Sequence, residues 1–589
     1  MNYIKLIPLL GLACISSCMR VSEKEYQTPS SKKVIYQVLP RLFGNDSTNN
    51  IYNGTIQQNG IGKFADFTSP VLDSLHSLGI NCIWYTGIIS HATKTGYPCY
   101  NLPANHPGIV KGNAGSPYAI RDYYDVDPDL ATNVAERMAE FEALVDRTHA
   151  SGMDVLIDFI PNHVAREYKS SYTPKGSIAL GAGDDTTKPF STNNNFYYLP
   201  GQSFNPDFDV LGYTEIPAKA TGNDVFSASP SVDDWYETVK LNYGIDYTDG
   251  KAKHFDTIPA TWKQMRDILL FWKSKKVDGF RVDMAEMVPV EFWEWTIPQV
   301  KERYPETVFI AEIYNPDSYR DYIHKGRFDY LYDKVGLYDT LKYVIQGKSP
   351  ATSILANAEK IKDIQSHMLN FLENHDEQRI ASSEFAGNPQ AGIPMMIVSS
   401  TYSGNPFMIY FGQELGEKAP DAEGFGGADG RTTIFDYWSI PSIQAWRNGG
   451  KNDGGQMSAS QKELRDFYKK LLNLVNDEPV LSNGIRYELM KENLNNTLFN
   501  HNRQFTYIRQ YRNEIILAAV NFDSIPAKTD IIITPETFRE LGIPSDLRIK
   551  GKDLLTGKEE ESILSSTQPF HTEIAPFSGK LIKFRFQPY

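Results

Sequence analysis

The sequence predicts an α/β protein: a parallel (β/α)₈ TIM barrel with a subdomain inserted after strand 3 and a C-terminal all-β sandwich domain. Three observations carry that prediction. Eight short apolar runs lie between Val34 and about Gly412, and clear amphipathic helices separate several of them. The runs are apolar on both faces, as strands packed between a filled barrel interior and an outer ring of helices must be. After about residue 478 the pattern changes to short alternating runs, which read as antiparallel strands. A doubly wound open sheet fits less well, because no glycine-rich phosphate loop follows the first strand. At 589 residues the chain is also too long for one ordinary core.

In order, the eight runs are VIYQVLP (34–40), CIWYTG (82–87), DVLIDF (154–159), GFRVDM (279–284), VFIAEI (308–313), DYLYD (329–333), MLNFLEN (368–374) and FMIYFGQ (407–413). ATNVAERMAEFEALVDRTHASG precedes the third and ATWKQMRDILLFWKSKKVDG the fourth, both as helices. Gly152 and Gly279 follow those helices where C-terminal glycines belong. Residues 165–255 break the rhythm, being rich in Asn, Asp, Gly, Pro and aromatics. A stretch that long reads as an inserted subdomain rather than a loop. Beyond 478, QFTYIRQYR, EIILAAVNF, TDIIIT and GKLIKFRF read as strands. The expected division is 1–18 leader, 19–33 polar tether, 34–164 and 256–477 barrel, 165–255 insertion, and 478–589 terminal β-sandwich.

A formal charge of −13 argues against a nucleic-acid partner, since phosphate binding needs a basic face. MNYIKLIPLLGLACISSC reads as an export signal, with Lys5 before an apolar run too short to span a bilayer. Ile15-Ser16-Ser17-Cys18 resembles the lipobox of bacterial lipoproteins, which implies acylation of Cys18; a plain secretory signal is the alternative. The expected location is outside the cytoplasm, periplasmic or at the cell surface, with membrane contact only through an N-terminal lipid anchor. Cys82 and Cys99 remain after such a leader. Cys82 opens a strand and Cys99 lies in the loop beyond it, so no structural disulfide is expected.

Polar residues at the C-terminal ends of barrel strands point into a shared mouth. Here those ends carry Asp158 with Asn162 and His163, then Arg281 and Asp283, Glu312, and His375 with Asp376. A single Asp after a strand is most often a cap or turn residue. Four strand ends with carboxylates on one face would repel one another, and that cost points to function. DFIPNH (158–163), GFRVDMA (279–285), AEI (311–313) and ENHD (373–376) are similar in order and spacing to the four motif regions of the α-amylase superfamily, glycoside hydrolase family 13. The likeness runs from about Val34 to the C-terminus, and PFMIYFGQELG (406–416) resembles the family's eighth strand.

The resemblance implies a retaining glycoside hydrolase acting on α-1,4 bonds of starch-derived α-glucans or maltooligosaccharides. It implies Asp283 as nucleophile, Glu312 as general acid/base and Asp376 as transition-state stabiliser, with Tyr118, His163 and His375 binding sugar. Retaining cleavage needs one ionised carboxylate to attack and one protonated acid to serve the departing oxygen. Arg281 shares a strand face with Asp283 and is expected to keep that carboxylate ionised. Glu312 follows an apolar run with no basic residue adjacent in sequence, which suits a proton donor. A glucanotransferase would use the same covalent intermediate, and a non-catalytic glycan-binding protein could share the fold.

Typical α-amylases carry Lys-His three and four residues after the nucleophile, whereas this chain has Glu286-Met287. With TVKLN (238–242), this resembles the neopullulanase and cyclomaltodextrinase branch and implies a leaving-group-side contact for Glu286. No cofactor is required for the chemistry. Structural Ca²⁺ is left open. Asn162 stands at the position of a family calcium ligand, but the partner histidine is missing. GNDSTNN (44–50) resembles a calcium loop of that branch, with Asp46, Asn49 and Asn50 as oxygen ligands. Lys63 nearby stands where a carboxylate would be needed.

Overall fold

The computed structural model describes residues 32–544 and 547–586. The leader with Cys18, and the tether as far as residue 31, lie outside the described residues. All eight apolar runs are strands of one closed parallel barrel: β1 (Val34–Val38), β2 (Cys82–Tyr85), β3 (Asp154–Phe159), β4 (Gly279–Val282), β5 (Val308–Ala311), β6 (Tyr330–Tyr332), β7 (Met368–Phe371) and β8 (Phe407–Tyr410). Each pairs with its neighbours in sequence, and β8 closes on β1 with Val34 opposite Phe407. Cys82 is buried at the start of β2, while Cys99 is exposed, and both thiols are free.

The helices form where apolar spacing dictates. In α1 (Arg137–Ala150), Phe141, Leu144, Val145 and Thr148 are buried at helical intervals. It starts later than the sequence pattern suggests, because Val134–Glu136 form a 3₁₀ turn capped by the Asn133 side chain. In α2 (Ala260–Ser274), Trp262, Met265, Leu269 and Trp272 cover the barrel. Gly152 has the left-handed φ of +81° that a C-terminal glycine supplies. Gly279 does not serve that purpose. It opens β4, where an added Cβ would lie 2.2 Å from the carbonyl oxygen of Val308, and Lys276 takes the left-handed conformation instead.

Three long connections rise from the C-terminal ends of the strands. Residues 86–136 after β2 carry an antiparallel ribbon, Ile89–His91 with Ile120–Val126. Residues 165–255 carry small ribbons, one of which pairs His163–Ala165 with Thr238–Lys240. This insertion leans on the β2 connection through a small cluster of Ile109, Phe204 and Ala218. Within it, buried Arg166 meets Glu215 at 2.7 Å and lies over the Phe204 ring. The third connection follows β8.

The C-terminal region is all β apart from short helices. β9 (Ile485–Glu488), β10 (Gln504–Tyr511), β11 (Glu514–Asn521), β13 (Leu547–Asp553), β14 (Glu559–Leu564) and β16 (Ser578–Arg585) form one antiparallel sheet in the order β9-β10-β11-β16-β13-β14. β12 (Ala527–Ile531) and β15 (Phe570–Ile574) form a ribbon beside it. The sequence suggests a sandwich; the described residues form one six-stranded sheet and a separate two-stranded ribbon. Arg509 ties the sheet to the barrel by donating to the carbonyl of Thr401 (3.0 Å), while its other amino group donates to that of Gly484 beside β9 (2.7 Å).

Candidate active site

At the mouth of the barrel one fully buried guanidinium organises the strand ends. Arg281 Nη1 donates to Asp283 Oδ1 at 3.0 Å and to Asp158 Oδ1 at 3.3 Å. Its Nη2 lies 2.7 Å from Glu312 Oε2, an ion pair off the line of a hydrogen bond. Nε donates to the Tyr332 hydroxyl at 3.1 Å. The rings of Trp84, Tyr118 and Tyr332 surround the cation at 5.3–5.5 Å, a low-dielectric cage that strengthens each contact. The four groups come from β3, β4, β5 and β6, so parallel register alone brings them together. Arg281 is the Cα partner of Asp158 across β3 and β4.

Glu312 is held from two further directions. Met284 N–H donates to Oε2 at 2.9 Å and the Tyr314 hydroxyl to Oε1 at 2.7 Å. Distance in sequence concealed the cation beside it. Asp283 also differs from expectation. Burial first, and then the Glu312 charge, push its carboxyl well above the usual carboxylate range, with Arg281 opposing. One guanidinium does not neutralise Asp158, Asp283 and Glu312 together, and burial raises the carboxyls of Asp158 and Asp283 against it.

Asp376 differs from its neighbours. Burial raises its carboxyl, but His375, Arg281 and Arg431 outweigh that and hold it below the usual range. His375 Nε2 lies 3.0 Å from Asp376 Oδ2, and its Nδ1 meets Gln37 Nε2 at 2.8 Å. Tyr118 stacks on the His375 ring at 5.0 Å and reaches Asp158 with its hydroxyl at 3.4 Å. His163 is pushed down to about 3 by burial and then by the Lys240 charge, so it is a neutral hydrogen-bonding group at any working pH.

These residues open onto a cleft of about 580 Å³ lined by Tyr118, His163, Asp283, Glu312, His375 and Asp376. The connections add Lys111, Trp235, Phe425 and Phe435 to its walls. None of these four was found from sequence, because each sits in a long connection with no periodic signal. Trp84, whose Nε1 donates to Asp158 at 2.9 Å, and Tyr314 lie on or beside identified strands and were findable there.

Glu286 stands elsewhere than expected. Its carboxylate accepts the backbone N–H of Tyr314 (2.9 Å) and Asn315 (3.2 Å), and it does not line the cleft. The side chains considered for calcium do not fit a cation either. Asn162 Oδ1 accepts from the buried Lys240 ammonium, which also meets Asp224 at 2.7 Å and the Met287 carbonyl at 3.2 Å. In the second loop, Arg447 clamps both oxygens of Asp46 at 2.9 Å and reaches Asp66 at 3.1 Å. Asn50 is bonded to Ser439, and the Asn49 amide to the Gln58 carbonyl. Lys63 donates to the carbonyls of Asp129 and Ala131. At both places a protein cation already occupies the oxygen cluster, and no group of three or more His, Cys, Asp or Glu suited to a metal occurs among the described residues.

The model of the α-amylase catalytic domain matches residues 37–471, most of the chain. α-Amylase 2 of Dictyoglomus thermophilum is 22% identical over 519 residues, covering 87% of this chain and 72% of that protein. Neopullulanase 2 of Thermoactinomyces vulgaris is 22% identical over 407 residues, covering 66% and 58% respectively. Among solved structures, a maltogenic α-amylase of Thermotoga neapolitana superposes with a TM-score of 0.60 at 19% identity, over 94% of this chain and 99% of that one. With a matching catalytic domain over 37–471 that includes the C-terminal end of every barrel strand, the chain belongs to the α-amylase family of glycoside hydrolases.

Proposed function

We propose that the protein cleaves α-1,4-glucosidic bonds of starch-derived α-glucans with retention, through a covalent glycosyl ester on Asp283. The observation that carries this reading is the single Arg281 guanidinium holding Asp283 and Glu312 on adjacent strands. Two carboxylates on one guanidinium favour the short separation of about 5–5.5 Å used in retention, not the wider gap that admits a water. In the first step an Asp283 oxygen bonds to the anomeric carbon, the bond to the leaving oxygen breaks, and Glu312 gives that oxygen its proton. In the second, water attacks the same carbon, returns a proton to Glu312 and frees Asp283. Asp376, held ionised, faces the positive charge that develops on the sugar in the transition state of each step. Tyr118 and His375 form an aromatic floor for that sugar. The α-glucan substrate is supported by the α-amylases and neopullulanase to which the chain is similar.

The test is product release from maltoheptaose by the wild type, Asp283→Asn and Glu312→Gln. Each variant should lose at least about a hundredfold in kcat/KM. Equal release by all three would end the reading, and products longer than the substrate would make the protein a transferase. The leader supports export with a lipid anchor on Cys18, which palmitate labelling lost in Cys18→Ser would check.

A further inference from the structure

Glu286 departs from the expected pattern, and its contacts lead back to the chemistry. The cap it forms on Tyr314 and Asn315 is a two-point hold, because each carboxylate oxygen takes one backbone N–H. The segment it fixes follows β5 directly, and Tyr314 turns its hydroxyl onto Glu312 Oε1 at 2.7 Å. The loop carrying Glu286 is itself anchored. Ala285 N–H donates to the Glu312 carbonyl at 3.1 Å, and the Tyr322 hydroxyl donates to the carbonyls of Glu286 (3.2 Å) and Val288 (2.8 Å). The neighbouring Met284 N–H takes the other Glu312 oxygen. Glu312 is thus oriented from one side by the loop after β4 and from the other by a tyrosine whose backbone that same loop holds.

From this geometry we infer that Glu286 and Tyr314 are positioning residues for proton donation: Glu286 fixes the backbone of Tyr314, and the Tyr314 hydroxyl aims Glu312 at the leaving oxygen. The inference rests on the reading of Glu312 as the acid. An ionised side chain on two backbone N–H groups outside the cleft makes only a turn if its effect ends there. What gives it a further consequence is that the residue it seats touches the reacting carboxyl. Bond cleavage with a sugar leaving group needs the proton, whereas an activated aryl leaving group departs without it. Loss of aim therefore costs rate on the first kind of substrate and spares the second.

The experiment measures kcat/KM on maltoheptaose and on 2,4-dinitrophenyl α-maltotrioside for the wild type, Glu286→Gln, Tyr314→Phe, the double variant and Glu312→Gln. Tyr314→Phe removes one oxygen and keeps the ring, so it remains informative if the Glu286 variant is poorly folded; thermal midpoints check both. Both single variants should lose about tenfold or more on maltoheptaose and less than about threefold on the aryl glycoside. The double variant should be no worse than about twofold below Tyr314→Phe, since the two act in series. Equal losses on both substrates, or no loss on maltoheptaose, would overturn the inference while leaving Glu312 as the acid. Equal losses by Glu312→Gln on the two substrates would instead overturn the assignment of the acid itself.

Discussion

Arg281 lies among three carboxylates and three aromatic rings, and its charge is what makes their crowding tolerable. The sequence placed Arg281 beside Asp283 correctly, because residues two apart on a strand share a face. It did not reveal that the same cation reaches Glu312, since that contact depends on parallel pairing of β4 with β5. The consequence is electrostatic. Asp283 is raised by burial and by Glu312, with further contributions from Asp158 and Asp376, against Arg281. Asp283 must be ionised to attack, so kcat/KM falls as pH drops through its folded value. That acidic limb is expected above the ordinary aspartate value of about 3.9. Asp158→Asn removes one like charge and should move the limb to lower pH. A limb at or below about pH 4 in the wild type, or an upward move in the variant, would contradict this. Residue roles that depend on a third element, such as Tyr314 on Glu312, were beyond the sequence for the same reason.

At the scale of elements, the barrel strands were legible because each is a short apolar run with no competing pattern, and every one forms. Helix termini were less so, since Asn133 and Lys276 end or start segments by local bonding and backbone conformation that periodicity does not report. Of the connections after β2, β3 and β8, only residues 165–255 were singled out, as an inserted subdomain. Their purpose emerges from contacts such as Lys111, which meets Glu237 at 3.1 Å and lies over the rings of Tyr236 and Phe435, joining all three at the cleft. Two of these joints are held by cations of the chain. Lys240 binds Asn162 and Asp224 at the base of the insertion, and Arg447 binds Asp46 and Asp66 beside β1. Chelation with EDTA should leave the thermal midpoint and activity unchanged. Lys240→Ala should lower the thermal midpoint, because Asn162 and Asp224 lose the buried cation they share. A midpoint that falls with EDTA and recovers with calcium would refute the assignment of these sites to protein cations.

The molecule as a whole divides its tasks by position. The closed barrel fixes the charged strand ends, the connections build the cleft walls, and the terminal sheet packs on the barrel through Arg509 away from the mouth. Four of the terminal strands were missed, β9, β13, β14 and β15, because they are short or rich in charge and show weak alternation. No helix among the described residues is long and apolar enough to cross a membrane. The claim on which the rest depends is that GFRVDMAEM presents Asp283 as the attacking group. Its most direct test is peptide mapping by mass spectrometry after incubation with a 5-fluoro-α-maltosyl fluoride, which slows hydrolysis of the intermediate. A glycosyl adduct on the peptide containing Asp283, absent in Asp283→Asn, is the predicted result; no adduct, or one confined to Glu312 or Asp376, would contradict it.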